Sequence, residues 1–113
     1  MAERVVTRRV KVPEVAFQRQ VIDLCRLLGY KVAHFRPAQN ARGQWSTPVQ
    51  ADGAGFPDLV IAGRGRVIYA ELKAEGEHPT AAQREWLQAL RDAGAFAFVW
   101  RPSDLDEIQA VLS

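Results

Sequence analysis

The sequence has few residues that could cross-link the fold through disulfides or a zinc ion. Its single cysteine, Cys25, has no partner for an internal disulfide, and two histidines are too few for a zinc site without carboxylates. No apolar run reaches the roughly 18 residues of a membrane-spanning helix, and the first residues carry no apolar signal core. These absences argue against a disulfide-rich or helical membrane protein and predict a reduced, cytoplasmic one.

Two common catalytic motifs are absent as well. No serine is flanked by the glycines of a nucleophile elbow, and no glycine-rich loop ends in Lys-Ser or Lys-Thr. Nothing therefore indicates covalent catalysis by a serine nucleophile or a P-loop that binds nucleotide phosphates.

Charge is distributed unevenly along the 113 residues, although the net charge is only +2. Residues 1–50 carry nine Lys or Arg against three Asp or Glu, whereas residues 51–113 carry six against ten. A basic half next to an acidic half is typical of a protein that binds an anionic polymer near a carboxylate-rich site.

Apolar periodicity and chain breakers predict one α/β domain with a mixed β-sheet flanked by helices. The last strand is almost wholly apolar, which predicts that both of its faces are covered. The predicted elements, in chain order, are a basic arm over 1–12, a helix starting at Pro13, a strand over 31–35, a long structureless loop over 36–57, hairpin strands over 58–62 and 66–73, a helix starting at Thr80, a strand over 96–100 and a short helix after Pro102.

The first helix carries an acid in an unusual position. Its predicted buried stripe consists of Phe17, Val21, Leu24 and Leu28. Glu14 lies three residues before Phe17 on the same stripe, so its carboxylate is expected to point inward or along the edge of the core. The alternative is an ordinary acid favoured by the dipole at a helix N-terminus.

The hairpin brings two carboxylates together. Glu71 and Lys73 share one face of their strand, because side chains alternate. With a two-residue turn at 64–65, Asp58 lies opposite Glu71, with Cβ atoms about 4.5–5.5 Å apart. Carboxylates this close repel unless a cation lies between them, and a hard divalent cation is the natural occupant. A three-residue turn would instead turn Asp58 to the other face.

Lys73 completes a set of groups that suits phosphodiester hydrolysis. A lysine beside a divalent cation orients a water molecule and steadies phosphate charge, while the cation acts as a Lewis acid. An isolated Glu-x-Lys on a strand is a weak signal, but here an apolar run precedes Glu71 and Pro57-Asp58 is paired with it in register.

Pro57-Asp58, followed after twelve residues by Glu71-Leu72-Lys73, resembles the motif of PD-(D/E)XK nucleases. Over roughly residues 14–101 the chain is similar to the VRR-NUC branch of that superfamily, whose small stand-alone members occur in phages and bacteria. The further landmarks of this branch are Glu14, residues 55–59, residues 69–73, Gln83, Trp86-Leu87 and Gly94.

The resemblance implies a restriction-endonuclease-like core and a DNA endonuclease that depends on Mg²⁺ or Mn²⁺. It implies that Asp58 and Glu71 are metal ligands, with the carbonyl of Leu72 as a third and Glu14 as an outer or second-metal ligand. Lys73 would position the attacking water. Stand-alone members are associated with homodimers acting on branched DNA such as four-way junctions, so the implied partners are DNA and a second copy, with no membrane.

Gln83 has two interpretations. The resemblance implies that it orients water or Lys73, whereas its spacing from Thr80 predicts a capping box at a helix N-terminus. Both roles are compatible.

Basic and aromatic side chains outside the motif are candidates for contact with phosphates or bases. The loop over 36–55 lacks lysine, so the family's DNA contacts do not transfer to it by position. The candidates are Arg36, Arg42 and Trp45 in the loop and Arg8, Arg9 and Lys11 in the arm.

Two other functions compete with a nuclease. The fold could clamp DNA without cutting it, in which case a Lys73–Glu71 ion pair without metal would be the structural signature. Alternatively, the protein could be an accessory factor that docks a partner of DNA replication or repair, since 113 residues is small for a stand-alone nuclease.

Overall fold

The structure is a computed structural model and describes residues 12–35, 38–39, 41–42, 45–46 and 50–113. The predicted basic arm therefore lies, except for Val12, outside the described residues. The helices and strands are, in chain order, α1 (Glu14–Leu27), β1 (Lys31–His34), β2 (Ala38–Gln39), β3 (Trp45–Ser46), β4 (Leu59–Gly63), β5 (Arg66–Leu72), α2 (Ala81–Asp92), β6 (Phe96–Trp100), a 3₁₀ turn (Pro102–Asp104) and α3 (Leu105–Leu112).

The main sheet is mixed and has the strand order β1-β4-β5-β6. β1, β4 and β5 are antiparallel neighbours, whereas β5 and β6 are parallel. A parallel pair needs a long crossover, and α2 supplies it. The predicted α/β class, a mixed sheet flanked by helices, is confirmed.

The β4–β5 hairpin fixes the register on which the site depends. Gly63 pairs with Arg66, so the turn consists of Arg64 and Gly65 alone. Both have positive φ angles, 52° and 77°, the conformation that a tight two-residue hairpin requires. The two-residue alternative is therefore correct, and both strands lie within one residue of their predicted bounds.

One face of the sheet forms the main core against α1 and α3. Alternate residues of β4, β5 and β6 point to this face, and the strand pairing sets them side by side. There they pack against apolar residues of both helices. The core residues are Phe17, Val21, Cys25, Tyr30, Leu59, Ile61, Ile68, Ala70, Leu72, Trp100, Ile108 and Leu112. The predicted stripe of α1 is partly wrong: Cys25 is fully buried, whereas Leu24 and Leu28 are only partly buried.

The opposite face is covered by α2 and by the segment that precedes β4. The ring of Phe56 contacts those of Tyr69 on β5 and Trp86 on α2, at centroid distances of 6.0 Å and 5.0 Å. Leu87 of α2 is buried. This second layer lies on the side of the sheet that Tyr69 shares with Glu71.

Three local predictions need correction. Pro13 is the N-cap of α1 and not its first helical residue. The loop over 36–57 is not wholly structureless, because β2 and β3 pair with each other. β6 is an edge strand of the main sheet, and Phe96 at its start is 51% exposed. Apolar composition alone does not distinguish an edge strand from a central one.

Within the part of the chain that the structure describes, no helix has both the length and the apolar character needed to cross a membrane.

Candidate functional site

Asp58 immediately precedes β4 and lies beside the end of β5. Leu59 pairs with Ala70, so the next position along the hairpin sets Asp58 opposite Glu71. One carboxylate oxygen of Asp58, Oδ2, accepts a hydrogen bond of 2.9 Å from the backbone N–H of Leu72. Burial raises the pKa of Asp58, while this hydrogen bond opposes the shift.

Glu71 is the charged residue that the fold buries most deeply. Its side chain is 2% exposed, and it is the one charged side chain in the buried class among the described residues. Its Oε1 atom is buried without a hydrogen-bond partner in the described part of the chain. Burial and the negative charge of Asp58 raise the pKa of Glu71 to about 8.

Lys73 lies on the same face of β5, two residues after Glu71. Its Nζ atom is 3.7 Å from Oε2 of Glu71, and its side chain is 15% exposed. Its backbone N–H donates to the carbonyl of Trp100, which fixes this end of β5 against β6. The ammonium group therefore lies beside the buried carboxyl group of Glu71, and the Lys73 side chain remains partly accessible to solvent.

The carbonyl of Leu72 is directed toward the same place. Both backbone groups of an extended residue point to one side of the strand, and the N–H of Leu72 points to Asp58. The side chain of Leu72 is buried in the core on the opposite face from Glu71. The carbonyl of Leu72 is therefore on the side of β5 that faces Asp58, where β4 begins and β5 ends.

Glu14 lies at the rim of this group. Its side chain is exposed and accepts a hydrogen bond of 3.3 Å from Gln18, so the prediction that it points into the core is wrong. Partial burial raises its pKa, and so do the charges of Asp58 and Glu77. The alternative that it lies along the edge of the core agrees with this position.

Gln83 forms the predicted capping box. Its side-chain oxygen accepts from the N–H of Thr80 at 2.8 Å, and its own N–H donates to Oγ1 of Thr80 at 3.2 Å. The capping role is therefore confirmed. The side-chain amide N–H₂ is the group left for the proposed role toward water or Lys73, which stays a prediction.

Most of the candidate DNA-contacting residues lie outside the residues that the structure describes. Arg42 is exposed in a turn, and only the backbone of Trp45 is described, as the start of β3. Arg36, Arg8, Arg9 and Lys11 lie outside the described residues. Their contact with DNA stays a prediction.

A close approach between Gly55 and α2 was not anticipated as a positioning device. Gly55 has a φ of +86°, and a Cβ at this position would lie 2.6 Å from the carbonyl carbon of Ala82. The indole N–H of Trp86 also donates to the carbonyl of Asp52, at 2.8 Å. These contacts fix the segment that leads into Pro57 and Asp58.

The oxygen donors at this site are few for a divalent metal ion, but their chemistry suits one. Among the described residues, no three His, Cys, Asp or Glu side chains cluster closely enough to form a metal site by themselves. The nearest arrangement is Asp58 and Glu71 with the carbonyl of Leu72. Its unpartnered buried oxygen and its two desolvated carboxylates fit a hard cation that takes oxygen ligands.

No protein-family model matches this chain, and no curated protein or solved structure is significantly similar to it.

Proposed function

We propose that the protein is a divalent-metal-dependent DNA endonuclease that hydrolyses phosphodiester bonds. The observation that carries the proposal is the alignment of Asp58 and Glu71 in register, with Lys73 facing Glu71. Folding places two carboxyl groups side by side, that of Glu71 buried and that of Asp58 partly buried, and leaves an oxygen of Glu71 without a hydrogen-bond partner among the described residues. A structural ion pair would need one carboxylate, whereas a metal site explains both.

Each residue has a chemical task in this proposal. Asp58, Glu71 and the carbonyl of Leu72 would hold Mg²⁺ or Mn²⁺, with Glu14 as an outer ligand at the rim. A bound divalent ion supplies Lewis acidity toward phosphate and makes water more acidic. Lys73 orients the attacking water and offsets negative charge on the phosphate, because its ammonium group is both fixed by Glu71 and open to solvent.

DNA is the proposed substrate because of the uneven charge of the sequence and the VRR-NUC resemblance. The same resemblance favours branched DNA or junctions, a homodimer, and the cytoplasm of a bacterium or of a phage-infected host. A two-fold dimer would present two such sites to the symmetric strands of a junction.

A second candidate function has one specific observation in its favour. The Nζ atom of Lys73 lies 3.7 Å from Oε2 of Glu71, which is the ion pair that a non-catalytic DNA-binding module would have. That interpretation gives no reason for a second, partly buried carboxyl group, that of Asp58, beside Glu71. The two functions differ in cleavage, so cleavage separates them.

The proposal is tested by incubating the protein with Mg²⁺ or Mn²⁺ and linear, flapped and four-way-junction DNA. Lys73→Ala is compared with Lys31→Ala, which removes an exposed lysine from the far end of β1. We expect cleavage by wild type and Lys31→Ala and none by folded Lys73→Ala. Absence of cleavage by the folded wild type on all DNA would favour the binding module, and equal cleavage by Lys73→Ala would refute its assigned role.

A further inference from the structure

An exposed aromatic ring lies in line with the two carboxylates. His34 on β1 pairs with Leu59 on β4, so the next position sets Phe35 opposite Asp58. The backbone N–H of Phe35 donates to the carbonyl of Asp58 at 2.9 Å. Because Asp58 lies opposite Glu71, the three residues form one row across neighbouring strands, with Phe35 at its outer end.

The ring of Phe35 is held in place although it is exposed. Its side chain is 45% exposed, and its ring forms a T-shaped contact with the ring of Phe56 at a centroid distance of 5.7 Å and an interplanar angle of 83°. Phe56 is in turn fixed between Tyr69 and Trp86. A ring with a fixed orientation and an open surface loses little conformational entropy when a flat ligand stacks on it.

We propose that Phe35 stacks on a nucleobase of the DNA strand whose phosphate lies at Asp58 and Glu71. This inference rests on the proposed function and specifies its substrate. Within a continuous duplex both faces of a base are covered by its neighbours, so an aromatic side chain stacks on bases that are unpaired or splayed out. The preferred DNA is therefore unpaired next to the cleaved bond, as at a flap, a gap or a branch point.

Binding, measured separately from cleavage, tests the stacking. Ca²⁺ replaces Mg²⁺, and two DNAs are compared: a continuous duplex and the same duplex with a short unpaired stretch that contains 2-aminopurine. Phe35→Leu keeps an apolar side chain but loses the ring, whereas Phe35→Tyr keeps the ring. Phe96→Leu is the matched control, because Phe96 is 51% exposed and starts β6, opposite Ile68 and away from Glu71.

We expect Phe35→Leu to weaken binding of the unpaired DNA about tenfold, with duplex affinity unchanged. The fluorescence of 2-aminopurine, which stacking on the wild-type ring quenches, should be higher in the complex with Phe35→Leu. Phe35→Tyr and Phe96→Leu should behave like wild type. Equal affinity of wild type and Phe35→Leu for the unpaired DNA, or equal losses on both DNAs, would overturn the inference.

The result for Phe35 can be distinguished from failure of the nuclease proposal. Cleavage by wild type in Mn²⁺ with unchanged binding by Phe35→Leu would overturn stacking and leave the nuclease standing. Ring-dependent binding of unpaired DNA without cleavage would support stacking and favour the non-catalytic module. Absence of DNA binding by folded wild type would overturn both.

Discussion

Glu71 makes the stability of the protein depend on pH in a defined direction. Burial and Asp58 raise its pKa to about 8 from an ordinary value of 4.5. Between these values the folded state holds a proton that the unfolded state has released, so the free energy of unfolding falls as the pH rises. We expect metal-free protein to be more stable at pH 5 than at pH 8 in urea unfolding with EDTA present.

The control for this pH dependence is Glu71→Gln, which cannot ionise. It should lose most of the difference in stability between pH 5 and pH 8. A wild type that is equally stable at both pH values, or more stable at pH 8, would contradict the assigned environment of Glu71.

Asp58 combines a structural and a proposed chemical role that substitution can separate. Asp58→Asn keeps an oxygen to accept from the N–H of Leu72 and removes repulsion with Glu71. We expect it to unfold at the same or higher urea concentration than wild type and to bind Mn²⁺ at least about tenfold more weakly, since it lacks a charged ligand.

Asp58→Ala is the comparison, because it also removes the hydrogen-bond acceptor. The unpaired N–H of Leu72 should cost about 1–3 kcal/mol of stability. Mn²⁺ affinity unchanged in Asp58→Asn would contradict the role of this carboxylate as a ligand.

At the scale of the elements, Gly55 ties the segment before β4 to α2. Alanine there needs an unfavourable positive φ, and its Cβ meets the backbone of Ala82. We expect Gly55→Ala to lower the free energy of unfolding by about 2–4 kcal/mol, from backbone strain and overpacking together. Urea unfolding measures it, with Gly76→Ala as the control.

Gly76 also has a positive φ, +81°, but nothing lies within 4 Å of an added Cβ. Its substitution should therefore cost only the strain of about 1–2 kcal/mol. Equal losses in the two variants would show that the contact with Ala82 does not constrain the segment.

At the start of α2, a substitution of Gln83 can separate its role in helix capping from its proposed role in catalysis. Glutamate at this position also closes a capping box, but it has no amide N–H₂ to orient water or to act near Lys73. We expect Gln83→Glu to melt at the wild-type temperature and to cleave DNA about tenfold more slowly, as loss of a positioning group would cause. Wild-type cleavage by Gln83→Glu would limit this residue to the cap.

The elements that could be predicted from the sequence are those that short local motifs specify. The capping box at Thr80 is as predicted, and the turn at Arg64-Gly65 is the two-residue one of the two lengths that the sequence left open. Each of these motifs specifies its geometry within four residues. Pairing between neighbouring strands then follows from the turn. The position of Asp58 opposite Glu71 was therefore accessible to sequence reasoning.

Features that depend on contacts between distant segments were not accessible. The burial of Cys25 instead of Leu24 depends on how α1 lies across the sheet, and the edge position of β6 depends on strand order. Phe35 was missed because its place beside Asp58 needs the β1–β4 register, which no short turn specifies.

For the whole molecule, the chain concentrates acidic groups at one end of the sheet. The charges that act on Glu14 include those of Asp58, Glu77 and Lys73, so these side chains share one electrostatic neighbourhood. Their balance is negative, which disfavours DNA at the site unless cations are bound there. Metal binding and DNA binding should consequently be coupled.

Direct titration with Mn²⁺ by calorimetry at pH 7, without DNA, tests the central claim that Asp58 and Glu71 form a metal site. Because the pKa of Glu71 is about 8, metal binding should release a proton, and the measured heat should vary with the ionisation enthalpy of the buffer. We predict saturable, buffer-dependent binding that Glu71→Gln abolishes. Absence of binding by the folded wild type, or unchanged binding by Glu71→Gln, would contradict the account.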